Sequence, residues 1–182
     1  MSSPDPSDEM KRVLVLGLGN PLLGDEGIGV RVVEELKGLE LPDGVTVAEG
    51  GTAGLGLMGL MEGYQQVIIV DAADMGHPPG HLVRFTPPQV QFKTAEAPLS
   101  LHQLGLGEVL TLAEALEVAP AELVIIGIQP GQVEVGAGLS PEVEGAVPQI
   151  IKIILGELDA KRGSNLIRPR YRRNKQEEGN NG

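Results

Sequence analysis

With 182 residues, 41% of them hydrophobic and only 2% aromatic, the chain is long enough for one sizeable core of Leu, Val, Ile and Ala and too short for two ordinary domains. The absence of Cys excludes disulfides, thiolate nucleophiles and sulfur-rich zinc modules, so any metal chemistry rests on oxygen and imidazole ligands. The net charge of −11 divides into −16 over residues 1–160 and +5 over residues 161–182, where seven of the 14 Lys and Arg meet two of the 25 Asp and Glu; such an acidic body repels a nucleic-acid backbone.

Residues 1–11 are polar and acidic where a secretion signal is basic and then apolar, and no apolar run approaches a membrane span. The expectation is a soluble, cytoplasmic, monomeric protein with neither a membrane nor a nucleic acid as partner. The leader 1–11 is expected to be disordered, an α/β domain to occupy 12–160, and the basic tail 161–182, which lacks apolar periodicity, to be disordered as well.

In chain order, apolar runs bounded by Gly and Pro predict strands at Val13–Leu16, Val45–Ala48, Val67–Val70, Leu82–Phe85 and Leu123–Ile128. Helical patterns lie between or after them at Ile28–Leu39, Leu55–Tyr64, Leu104–Leu116 and Pro141–Leu158. This alternation predicts a single three-layer α/β/α domain with a mostly parallel sheet of about five strands and helices on both faces. Pro78, Pro79 and Gly80 deny Met75–His81 a helix, so the fourth strand is expected to follow the third without a helical crossover and to run antiparallel at an edge. Ser140-Pro141 supplies an N-cap and a first-turn proline for the last helix, and Pro148 predicts a kink in it.

Three residues stand where an open α/β sheet keeps its ligands. Glu26 lies where the first helix begins, Asp71 ends the strand V-I-I-V-D, and His102 opens a helical stretch two residues after Ser100, an N-cap residue type. Each has an ordinary explanation beside the functional one. Glu26 complements the helix dipole, Asp25 is a good N-cap, and His102 can be a capping or surface histidine. Asp71 is the hardest to explain structurally, because it follows four β-branched residues of a strand buried on both faces and needs a partner, of which a cation is one. Two carboxylates and an imidazole leave coordination positions open, as a catalytic metal site requires, and suit zinc or nickel alike. His77 and His81 are kept from a common helical face by Pro-Pro-Gly and are read as loop residues.

Gly17, Gly19, Gly24, Gly27 and Gly29 invite a dinucleotide-binding reading, which their spacing opposes. Counted from Gly17, the third glycine of G-x-G-x-x-G falls on Leu22, Pro21 offers no N–H to a pyrophosphate, and two carboxylates in the turn repel one.

The pieces L-G-L-G-N-P-L-L-G-D-E-G-I-G, G-G-T-A-G, V-I-I-V-D-A and H-Q-L-G-L together resemble the hydrogenase maturation endopeptidases, which trim a C-terminal extension from the large-subunit precursor of [NiFe]-hydrogenases. The resemblance covers about residues 12–158. It implies that Glu26, Asp71 and His102 are the metal-ligand and catalytic positions, that the metal is nickel brought by the precursor, and that the partner is that precursor. Zinc or another divalent ion is the alternative occupant of the isolated protein. Where the family commonly has Asp-Gly-Gly-Thr, this chain has Glu49-Gly50-Gly51-Thr52, which makes Glu49 an auxiliary candidate beside Asp25. As general base, Asp25, Glu49 and Asp71 are all open.

Two rival readings remain at this level. Gly17-Leu18-Gly19-Asn20-Pro21 is also similar to the opening of bacterial peptidyl-tRNA hydrolases, but no histidine follows at their spacing and the acidic body suits tRNA badly. A nickel-sensing or precursor-binding chaperone would use the same three ligands without hydrolysis.

Overall fold

The computed structural model describes residues 11–52, 54–86 and 105–160. The expectations for the leader through residue 10, for the tail, for the Ser100 cap and for His102 fall outside the described residues.

Val67–Val70 lose least by being extended, since each is β-branched or stiff at its first side-chain torsion. They form the middle of β3 (Gln66–Ala72) and are completely buried. β1 (Val13–Leu18) lies beside it, paired in parallel both with β3 and with β2 (Val45–Gly51). On the other side of β3, β5 (Glu122–Ile128) is parallel, and β4 (Leu82–Phe85) closes that edge antiparallel to β5, as the Pro-rich connection predicts. The sheet order is β2-β1-β3-β5-β4.

Strand alternation sorts the apolar residues between two half-cores. Val15, Ile68, Val70 and Ile126 face α1 (Ile28–Lys37) and α4 (Pro141–Ala160), meeting Ile28, Val32, Ile150 and Ile154. Leu14, Leu16, Ile69 and Ile125 face α2 (Gly56–Met61) and α3 (Leu106–Ala115), meeting Leu57, Met61 and Val109. Each such side chain, when fully buried, contributes roughly 1.5–3 kcal/mol, which makes this sandwich the main source of stability.

Three helices are shorter than their sequence patterns, for local reasons. α1 stops at Lys37 where Gly38 caps it, and α2 stops at Met61 because Glu62 turns extended at ψ 132°. α3 starts at Leu106 rather than Leu104 because Gly105 is extended, with ψ 171°. α4 runs 20 residues without interruption through Pro148. Among the described residues no helix is long and apolar enough to cross a membrane.

From β1 the chain crosses by α1 to β2 on one side, then returns by α2 to β3 on the other. The point between β1 and β3 is therefore a topological switch, and the carboxyl ends of both strands open there.

Candidate functional site

The glycines around β1 serve packing. A Cβ on Gly17 would overlap the carbonyl of Gly29, and one on Gly29 would overlap the carbonyl of Leu18, so α1 rests directly on the strand. Gly19 adopts φ 109°, and a Cβ there would overlap the carbonyl of Glu26. The result is a tight 3-10 turn, Gly24–Gly27, that carries Glu26 back over the end of β1.

Glu26 and Asp71 meet at one pocket of about 260 Å³, bounded also by Leu18, Gly19, Thr52, Gly54, Leu57, Gly105 and Leu106. Asp71 belongs to the side-chain set of Val67 and Ile69, which places it on the α2/α3 side of the sheet. Burial pushes its carboxyl up to about 7; the hydrogen bond from the Ala72 amide works the other way, and the charge of Glu26 adds to the rise. Among the described residues no Lys, Arg or His lines this pocket to neutralise the pair. Nor do three His, Asp or Glu side chains among the described residues converge on one metal position. The two carboxylates of the expected triad are thus brought together. His102 lies outside the described residues, three positions before Gly105 of the pocket wall.

A larger cavity, about 410 Å³, opens at the opposite end of the sheet. Its Arg84 and Glu157 are tied to each other at 2.5 Å, and it contains none of the expected site residues. Volume alone is therefore no guide to the chemistry here.

Asp25 and Glu49 are placed elsewhere. Asp25 does not cap α1; its carboxylate turns into the protein, is fully buried, and accepts hydrogen bonds from the amides of Gly131 and Gln132 at 2.8 Å. The Ser140 amide (2.6 Å) and hydroxyl (2.9 Å) complete the set. Burial raises the pKa of such a carboxyl, but these four donors outweigh it and hold Asp25 below its ordinary value. Glu49 shares its strand face with Val45 and Val47, the α1 side, where it is exposed and paired with Lys37 at 2.7 Å. Of the three acids open as general base, Asp71 is the one that lines the pocket.

His77 and His81 stack in the loop between β3 and β4, ring centroids 4.2 Å apart. That loop is held by Gln129, which sequence reasoning missed. Its side chain accepts from the amides of Met75 (2.7 Å) and His77 (3.2 Å) and donates to Asp74 at 3.2 Å. The available signal was its position, an amide directly after the buried run Ile125–Ile128, analogous to Asp71 after Val67–Val70.

The same architecture occurs in solved endopeptidases. The hydrogenase maturating endopeptidase HybD from Escherichia coli matches with a TM-score of 0.73 at 38% identity, over 82% of this chain and 93% of that one. The hydrogenase 2 maturation protease of Escherichia coli is 38% identical over 149 residues, 81% of this chain and 90% of that protein. The hydrogenase expression/formation protein HupD of Bradyrhizobium diazoefficiens is 41% identical over 149 residues, 81% of this chain and 78% of its own length. Fold and similarity define a peptidase of the α/β class. A family model described as hydrogenase maturation protease matches residues 30–157, and the chain belongs to that family.

Proposed function

We propose that this peptidase removes the C-terminal extension from the nickel-loaded large-subunit precursor of a [NiFe]-hydrogenase, and that Glu26, Asp71 and His102 receive the nickel carried by that substrate. The supporting observation is the pairing of Asp71 with Glu26 in one pocket without a basic residue among its described lining, where burial above all, and the charge of Glu26 in addition, push the Asp71 carboxyl up to about 7. A cation is the group that relieves this repulsion, and carboxylate with imidazole is a donor set that nickel and zinc both accept. His102 supplies the imidazole in this reading, since the covalent reach of three residues, about 10 Å, connects it to Gly105 at the pocket wall.

The chemistry divides among the chain's own residues. Glu26, on its 3-10 turn, and Asp71, at the end of a buried strand, fix the precursor's metal-bearing end and so hold the adjacent peptide bond in register. The substrate's metal, once bound, supplies polarisation of the carbonyl or of a water. Of Asp25, Glu49 and Asp71, the three acids open as general base, Asp71 faces the pocket and is the one placed to take a proton from the attacking water. Because the metal arrives with the substrate, cleavage is conditional on nickel insertion.

The test mixes the protein with nickel-loaded and nickel-free precursor and follows the shortened precursor and the released peptide by mass spectrometry. Cleavage of the loaded form alone is expected; equal cleavage of both overturns the conditional mechanism, and tight binding without any cut points to a chaperone instead. Glu26→Gln, Asp71→Asn and His102→Ala are each expected to slow cleavage about a hundredfold or more.

A further inference from the structure

β2 is an edge of the sheet, bonded to β1 along one side only. Which way each of its residues faces follows from the ladder. The Val13 amide donates to the Gly44 carbonyl at 2.9 Å while Val13 stands opposite Val45. In a parallel pair this sets the backbone groups of Gly44, Thr46 and Ala48 toward β1 and turns those of Val45, Val47 and Glu49 away from the sheet. The Val45 amide is taken up by the Pro42 carbonyl at 3.2 Å. Among the described residues, the amides and carbonyls of Val47 and Glu49 meet no backbone partner.

This open row leads to the site. The register of β2 shifts at its end, where the Gly51 carbonyl accepts from the Gly19 amide at 3.0 Å and Gly51 takes the left-handed φ of 56°. Gly51, Thr52 and Gly54 then form a wall of the pocket that Glu26 and Asp71 share. At roughly 3.3 Å per residue, the unpaired donors and acceptors lie within a few residues of the two acids. The opposite edge, β4, contributes none of the described residues of this pocket. Only a second extended backbone matches such a row, and the polypeptide that a protease cuts is one.

We propose that the C-terminal extension of the precursor adds to the free edge of β2 as an antiparallel strand, held by the backbone groups of Glu49 and Val47. This rests on the reading of the precursor as substrate. The metal-bearing end sits at Glu26 and Asp71 in that reading, so the extension, lying beyond the cut bond, leaves the pocket along Thr52 and Gly51 and runs back toward the start of β2. Main-chain pairing grips the extension by its backbone, and the side chain of Glu49 takes no part. A second copy of this chain fits the edge poorly, because two bodies of charge −16 repel each other.

Glu49→Pro removes one outward amide and leaves the bonds to β1 whole, which an edge strand tolerates. Its cleavage and binding of nickel-loaded precursor are compared with the parent's over a concentration series, and sedimentation of the peptidase alone reports any dimer. KM, and the Kd for the precursor, are expected to rise about tenfold with kcat kept. Amide exchange on the parent, followed by NMR with precursor in excess, is expected to slow about tenfold at both Val47 and Glu49, and not with precursor lacking its extension. Unchanged KM and Kd overturn the inference, as does unchanged exchange at both amides or protection that comes from a dimer of the peptidase. If the proline variant does not fold, the exchange of the parent decides alone. A parent that binds precursor without cutting it ends the peptidase mechanism, while Kd and exchange still judge the edge; a parent that binds no precursor ends both.

Discussion

Asp25 and Ser140, 115 residues apart, are joined by two hydrogen bonds, one to each carboxylate oxygen of Asp25. Through them the turn that presents Glu26 is fastened to the start of α4, with Gly131 and Gln132 held by the same carboxylate. Replacing Asp25 with Ala leaves those buried donors without an acceptor and is expected to cost about 3–5 kcal/mol in denaturant unfolding; a loss under about 1 kcal/mol would contradict the strut. Because the folded pKa lies below the ordinary 3.8, the stability from Asp25 is present above that value and is lost as pH falls through the lower folded one.

Asp71 has the opposite sign. Its pKa rises from 3.8 to about 7 on folding, so the stabilising difference is fully present below 3.8 and is lost as pH climbs through about 7. Denaturant midpoints at pH 4.5 and 7.5 are expected to decline in the parent and to decline less in Asp71→Asn. Divalent-ion binding, which competes with the proton on Asp71, is expected to strengthen over the same interval, and calorimetric titration with zinc or nickel measures it. Flat behaviour in both assays contradicts the buried carboxyl.

Glu49→Gln is expected to leave cleavage within about twofold and stability within about 0.5 kcal/mol, because Glu49 is exposed on the α1 side and its partner Lys37 is exposed too. A hundredfold loss in precursor cleavage would show that Glu49 reaches the reacting groups despite its position.

Gly19→Ala combines a left-handed backbone with direct overlap on the Glu26 carbonyl. Thermal unfolding is expected to show a loss of about 2 kcal/mol or more, and cleavage is expected to fall with it as Glu26 is displaced. Retention of both would mean that the turn has room the structure does not show.

The elements were readable along the chain because their causes are local. Apolar period, β-branching and Gly or Pro punctuation act within a few residues, so the five strands among the described residues are legible in the sequence, as is the antiparallel edge at Leu82–Phe85 from the Pro-Pro-Gly run before it. Helix ends were less readable, since Gly105 and Glu62 stop α3 and α2 through backbone angles that residue type does not dictate.

Glu26 and Asp71 were readable for a related reason: the carboxyl end of a strand, where Asp71 stands, and the start of the helix that follows a strand, where Glu26 stands, both lie at the same rim of an open α/β sheet. Which acids face the pocket was not. Asp25 and Glu26 are neighbours with similar chemistry, yet one is committed to donors from residues 131–140 and the other lines the cavity. Glu49 looked equally placed at the end of β2, but the pleat turned it toward α1. Side-chain direction at a strand end follows from register, from the face each helix covers, and from partners far away in sequence. Those long-range contacts exist only once the chain has closed on itself, and for that reason tertiary structure alone separated the strut, the surface ion pair and the pocket acid.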